Sequence, residues 1–247
     1  MLDRINFRDF GGEITPDGKK IRTGLLFRSG VWQRINKSDR ALIQSLTIQH
    51  VVDFRSLEEQ ERSPALLPGE NKVSLPCNID QSTRDRLKPL LFKRHADERI
   101  MEVIEGVYID MVDMMVEPMA KLIRLIISPG GAPLIIHCRA GKDRTGFAAA
   151  MIQWYLGLDR ETIMQEYLRS NDFMNPRLSK MLKRLRIFTV GLFPKGNLQA
   201  AFEVKERYLS AAMAKVEKEY GGIEKYFLSA GITPAELDQL RLKLLES

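Results

Sequence analysis

Residues 133–156 read PLIIHCRAGKDRTGFAAAMIQWYL. PLIIH (133–137) is a short apolar run bounded by the turn signals of SPGGAP (128–133), which predicts a buried parallel strand. From Arg144 to Leu156 the pattern predicts a helix. HCRAGKDRTG (137–146), which spans their junction, holds three cationic side chains, Cys138, and a lone acid, Asp143.

A loop that enters a helix presents unpaired backbone N–H groups, and the helix dipole adds partial positive charge. Such a concavity binds a tetrahedral oxyanion, phosphate above all. The amides of Arg139, Ala140, Gly141, Lys142, Asp143 and Arg144 would form the cradle. Cys138, at the strand end, lies under it, where the same field favours the thiolate. The Arg144 guanidinium can fold back and grip two phosphate oxygens, which a lysine cannot do. A thiolate aimed at a phosphorus so held implies in-line displacement to a cysteinyl-phosphate, then hydrolysis. Thr145 would hydrogen-bond the departing sulfur, and Gly146 permits close helix–strand packing. A Walker A loop is excluded, because Asp143 rather than Ser or Thr follows Lys142 and Ile136 stands where a glycine is needed. A lone cysteine after a strand is usually core; the joint spacing of Cys, Gly, Arg, Thr and Gly is what points to chemistry.

Outward from the loop, the chain alternates strand and helix signals. Asn36 or Ser38 opens a short helix to Leu46, QHVVDF (49–54) reads as a buried strand, and KVSLP (72–76) as another. Ile100, Val103, Ile104, Val107, Tyr108, Met111, Met114 and Met115 recur at helical steps, the methionines read as core. The C-terminal third reads as helical throughout, and its last helix carries Thr233 as N-cap, Pro234 at the first position and Glu236 closing a capping box. The expectation is an α/β fold with a mostly parallel central sheet flanked by helices, ligands binding at the carboxyl ends of strands. No repeat or linker divides the chain, so residues 1–247 read as one domain.

Composition narrows the partners. A net charge of +6 favours anions. Nucleic-acid binding has only that charge in its favour, with no basic-plus-aromatic module. Two cysteines, Cys77 and Cys138, make no disulfide framework and suit a reducing compartment or a catalytic thiol. MLDRINFRDFGG has no apolar signal region, and FAAAMIQWYLGL is short of the ~20 residues that cross a bilayer. A soluble protein is expected, cytoplasmic or exported without a Sec-type signal.

HCRAGKDRTG matches every fixed position of H-C-x-x-G-x-x-R-[ST]-G, the signature of cysteine-dependent protein tyrosine phosphatases. NFRDFGG (6–12), LLFRSG (25–30), VVDFRSLEE (51–59), EYLRSN (166–171) and YGGIEKYFLSAGITPAELDQLR (220–241) resemble its bacterial branch, related to dual- and triple-specificity enzymes. The resemblance runs from Asn6 to about Leu245. It implies a phosphatase-type fold with a helical insert or lid near 81–116 and a helical extension near 176–247. It further implies no metal or cofactor, and hydrolysis of phosphotyrosine, with phosphoserine/threonine and phosphoinositides as further substrates. His137 would orient the loop and support the thiolate. Arg28 and Ser29 match a family motif and read as structural hydrogen bonding. A disulfide between Cys77 and Cys138 occurs in some relatives; an inert buried thiol is the default for Cys77.

The resemblance lacks the W-P-D aspartate that many of these enzymes use as general acid. Asp53, at a strand end, matches a proposed acid of the branch and stands first, with pairing to Arg55 as its other reading. Asp80 stands second. Asp143 is third, within the loop, where it would otherwise hold Arg144 or help position water. The basic stretch Arg84, Arg86, Lys88, Lys93, Arg94 and His95 reads first as a solvated face, with peripheral contact to an anionic membrane as the other reading. A catalytically inactive phosphate-binding module and a rhodanese-like sulfurtransferase are the competing functions.

Overall fold

The computed structural model describes residues 5–32, 36–65, 71–173, 179 and 195–246, with the side chains of 80–82, 84 and 195 outside that description. Its centre is a five-stranded sheet in the order β1-β3-β6-β4-β5. β1 (Arg8–Asp9) is an antiparallel edge on β3 (Leu26–Ser29). β3, β6 (Leu134–His137), β4 (His50–Asp53) and β5 (Asn71–Ser74) run parallel. The register aligns Ser29, His137 and Asp53 in one row, so three strands finish level at their carboxyl ends. Cys138 follows directly.

β6 is the middle strand and is buried along its whole length, as its unbroken apolar run requires. On one face Ile135 packs with Phe27, Val51, Ile43 and Trp32 under α1 (Lys37–Ser45). On the other, Leu134 and Ile136 join the large helical core with α4 (Asp97–Met114), α5 (Val116–Ile127), α6 (Arg144–Tyr155) and α7 (Arg160–Leu168). Local signals fix the shorter helices. Asn36 caps α1 by accepting from the Asp39 amide at 2.7 Å. Ser56 and Glu59 form a full capping box on α2 (Leu57–Arg62).

α3 (Asp80–Leu91) and α4 occupy the segment read as an insert. Along α4 the stripe Ile100, Ile104, Val107, Tyr108, Met111 and Val112 is buried. Met115 is buried too, but Met114 is 44% exposed, a correction to its reading as core. It is the last residue of α4 and lies at the margin of that stripe.

In the described part of the C-terminal third come α8 (Lys195–Phe202), α9 (Glu206–Lys215), a π-helical turn (Val216–Tyr220), α10 (Ile223–Ser229) and α11 (Pro234–Leu244). The Thr233–Glu236 capping box forms as expected. The all-helical expectation fails at the end: β7 (Leu245–Glu246) pairs antiparallel with β2 (Lys20–Ile21). Two residues of strand carry too little periodicity to be read from sequence. Among the described residues no helix is long and apolar enough to cross a membrane.

Candidate active site

The loop from Cys138 to Asp143 joins β6 to α6 and is shaped by where its carbonyls go. The Arg139 carbonyl accepts from the Val31 amide at 3.1 Å. Asn6 Nδ2 donates to the carbonyls of Ala140 (3.5 Å) and Gly141 (2.7 Å), and Arg28 Nη2 also donates to Gly141 at 2.7 Å. All three carbonyls are thus bonded to groups outside the loop. Because each trans peptide sets its C=O and the next N–H in opposite directions, the amides of 140, 141 and 142 face the other way, into the concavity. Gly141 is required here: its φ is +69°, and a Cβ would stand 2.4 Å from the Ser29 carbonyl carbon.

The donors are themselves anchored. Glu166 accepts from Arg8 Nε and from Arg28 Nη1, both at 2.6 Å. Arg8 also donates to Asn6 Oδ1 and to the Glu166 carbonyl. All four side chains are buried. Burial, then the neighbouring Arg28, depress Arg8 to about 9 against the opposing pull of Glu166. Burial alone would push Glu166 up, but Arg28 and Arg8 hold it below the usual carboxylate range. The motifs NFRDFGG, LLFRSG and EYLRSN therefore converge on one carbonyl of the loop. Ser29 accepts from Trp32 Nε1 at 3.0 Å. Gly146 does allow close approach: a Cβ would meet Arg28 Nη2 and the Tyr167 ring at 3.1 to 3.2 Å.

Arg144 opens α6 and reaches back to Glu59, its Nη1 donating to Oε2 at 2.7 Å. The same nitrogen contacts the carbonyls of Phe54 and Cys77 at 3.3 Å. Glu59 was not foreseen, although the S-x-x-E pattern of SLEE (56–59) marks it as a residue fixed at a helix start. Cys138 is 2% exposed at the strand end. Cys77 is buried and forms no disulfide among the described residues.

Asp53 is placed as the partner of Arg55. Arg55 Nε lies 3.0 Å from Oδ1, Nη2 lies 2.6 Å from Oδ2, and the Arg55 amide adds a bond to Oδ1 at 2.9 Å. Neither oxygen is left open toward a leaving group. Asp80 begins α3, but its side chain lies outside the described residues. Asp143 differs from Asp53. Tyr108 donates to its Oδ1 at 3.0 Å and Lys142 Nζ is 3.5 Å from the same oxygen. Among the described residues Oδ2 has no hydrogen bond or ion pair, and the side chain is 34% exposed against 13% for Asp53. Lys142 is itself buried, its Nζ 3.5 Å from the Ala201 carbonyl of α8. The Thr145 hydroxyl is buried and has no partner among the described residues. Arg139 is exposed and, with Val31, Arg55, Glu59, Arg62 and Ser63, lines a cavity of about 190 Å³ beside the loop. Arg86, Lys88, Lys93, Arg94 and His95 are exposed to solvent; the Arg84 side chain lies outside the described residues.

His137 is fully buried, its Nδ1 3.5 Å from the Cys138 carbonyl and its Nε2 3.5 Å from Asp53 Oδ2, too long for a strong bond. Burial lowers its pKa to about 4 against an opposing pull from Asp53, so the ring is neutral at neutral pH. Between about 4 and 6.5 the unfolded chain binds a proton that the folded ring refuses. Its contribution to stability is fully present above pH 6.5 and is lost as pH falls toward 4, a difference worth roughly 3 kcal/mol. In denaturant titrations at about pH 7 and 4.5, His137→Gln should lose roughly 2 kcal/mol less than the unaltered protein. Equal losses would contradict the assignment.

A cysteine below loop amides that face one concavity, with an arginine entering the following helix, is an arrangement able to receive a phosphate ester. The model of the tyrosine phosphatase family matches residues 2–246. The chain belongs to that family. It is 31% identical to the triple specificity protein phosphatase PtpB of Mycobacterium tuberculosis, over 97% of this chain and 96% of that one. A Cupriavidus necator protein named for tyrosine-protein phosphatase activity is also 31% identical, over 91% of this chain and 81% of its own. Among solved structures, that of Pseudomonas aeruginosa TpbA aligns with 90% of this chain and 96% of its own, at 17% identity and a TM-score of 0.35.

Proposed function

We propose that this phosphatase hydrolyses phosphotyrosine, and also phosphoserine/threonine and phosphoinositides, through a cysteinyl-phosphate on Cys138. The outward anchoring of the Arg139, Ala140 and Gly141 carbonyls carries the reading, because it aims the intervening amides at a bound phosphate. The loop amides and Arg144 bind the non-bridging oxygens. Cys138 Sγ forms the S–P bond as the P–O bond to the leaving group breaks, and Asp143 gives that oxygen its proton. Asp143 is preferred to Asp53 because its Oδ2 is open while Arg55 engages both oxygens of Asp53. Water then attacks phosphorus, Asp143 takes its proton, and the S–P bond breaks to release inorganic phosphate. Thr145 donates to the departing sulfur. An unpaired buried hydroxyl costs ~1–3 kcal/mol, a burden that a role in the second step would explain. The breadth of substrate follows the relative named for triple specificity and the cation at Lys142.

The test is phosphate release from phosphotyrosine peptides, phosphoserine/threonine peptides and phosphoinositides, coupled to rapid acid quench and mass analysis of the Cys138 peptide. A phosphorylated Cys138 peptide is expected. Release without it would sink the mechanism, and sulfur transfer from thiosulfate without release would favour the rhodanese-like reading. Thr145→Val should enlarge the burst of leaving group and slow steady-state turnover about tenfold, as loss of a hydrogen bond to an anionic sulfur implies.

A further inference from the structure

The helical segment 97–114 brings a tyrosine to the phosphate loop that the reaction scheme does not use. Tyr108, on α4, donates to Asp143 Oδ1 at 3.0 Å and accepts from Tyr167, on α7, at 2.8 Å. The two rings meet edge to face with centroids 6.2 Å apart, and Tyr208 of α9 packs on Tyr108 at 5.6 Å. All three tyrosines are fully buried. A phenol needs only one hydrogen-bond partner to be satisfied in a core. Here two hydroxyls form a directed chain, Tyr167 to Tyr108 to Asp143, that ends on a carboxylate whose other oxygen is open. We propose that Tyr108, oriented by Tyr167, is a positioning residue for proton transfer: its hydroxyl fixes the Asp143 carboxyl so that Oδ2 faces the leaving oxygen. The inference rests on the reading of Asp143 as the acid.

The direction of the chain is set by chemistry. Burial first, and then the Asp143 charge, push both Tyr108 and Tyr167 well above the usual phenol range, so both keep their protons and Tyr108 can only donate to the carboxylate. Lys142 faces Asp143 from the loop, Arg144 adjoins it in sequence, and the phenols of Tyr108, Tyr167 and Tyr208 face it from α4, α7 and α9. The Tyr108 hydroxyl therefore holds Oδ1 from one side while Lys142 Nζ lies 3.5 Å from the same oxygen. Removing that donor leaves a carboxyl that is less fixed.

The experiment compares Tyr108→Phe, Tyr167→Phe and Asp143→Asn in the full chain, by pH–rate profiles on p-nitrophenyl phosphate and on an alkyl phosphate. Asp143→Asn should erase the basic limb of kcat. Tyr108→Phe should keep that limb, since the carboxyl is still present, but lose rate along it because Oδ1 is no longer fixed. It should lower kcat about tenfold on the alkyl ester and far less on p-nitrophenyl phosphate, with KM little changed, since the acid matters most for a poor leaving group. Tyr167→Phe should give a smaller loss of kcat with the same dependence on leaving group, and decides the matter if Tyr108→Phe fails to fold. A basic limb that survives in Asp143→Asn overturns the assignment of the acid, and this inference with it. A limb erased by Asp143→Asn, with kcat on the alkyl ester unchanged in both tyrosine variants, overturns the positioning role alone.

Discussion

Cys138→Ser is expected to abolish turnover while leaving phosphate-ester binding intact. A serine hydroxyl at the same place is not ionised at neutral pH, and activating it needs an adjacent base. His137 does not serve, since it turns its ring nitrogens to the Cys138 carbonyl and Asp53, and both Asp53 oxygens are taken by Arg55; in the proposed scheme Asp143 enters this step carrying the proton for the leaving group. Removing a nucleophile from a preorganised site costs on the order of 10⁵ to 10⁶ in kcat. Binding should persist, because the amides and Arg144 that hold phosphate do not depend on the sulfur. Stopped assays on p-nitrophenyl phosphate measure the first quantity, and calorimetry with phosphotyrosine the second. More than about one per cent residual kcat would remove Cys138 from the chemistry.

Glu166→Ala should be the most destabilising single change near the site. It strips the shared carboxylate from Arg8 and Arg28 and leaves two buried guanidiniums without an anion. Breaking a buried pair from one side costs about 3–5 kcal/mol, or a fall in Tm of roughly 10 °C for a chain of this size. Arg28 would also lose its aim at the Gly141 carbonyl, so kcat/KM should fall beyond what the folded fraction explains. Glu166→Gln, which keeps the shape and one acceptor, should fall between the two. A Tm within a degree or two of the parent in thermal unfolding would show that the network contributes little.

The parts of this molecule legible in its sequence are those made by neighbours along the chain. Strand, loop and helix over 133–156 are read from one continuous stretch, and they bring Cys138, Arg144, Thr145 and Gly146 together without help from elsewhere. The Asp53–Arg55 pair, two residues apart, was among the readings for the same reason. Glu59, Asn6, Arg8 and Glu166 act on the loop across 85 to 138 residues of chain or through one another, and only the folded sheet and helices bring them in. Tyr108 was read for its ring, which is core, and not for its hydroxyl, whose partner is on another element. Hydropathy cannot tell the two ends of a tyrosine apart.

One oxygen of Glu59 serves two masters. Oε2 accepts the Ser56 amide that starts α2 and the guanidinium of Arg144, the first residue of α6. A library that ranked substitutions at this position by thermal tolerance alone would be scoring helix initiation and arginine placement as a single number. The side chains on the exposed face of α2 can change without consequence for α6, but a change at its third residue also releases Arg144.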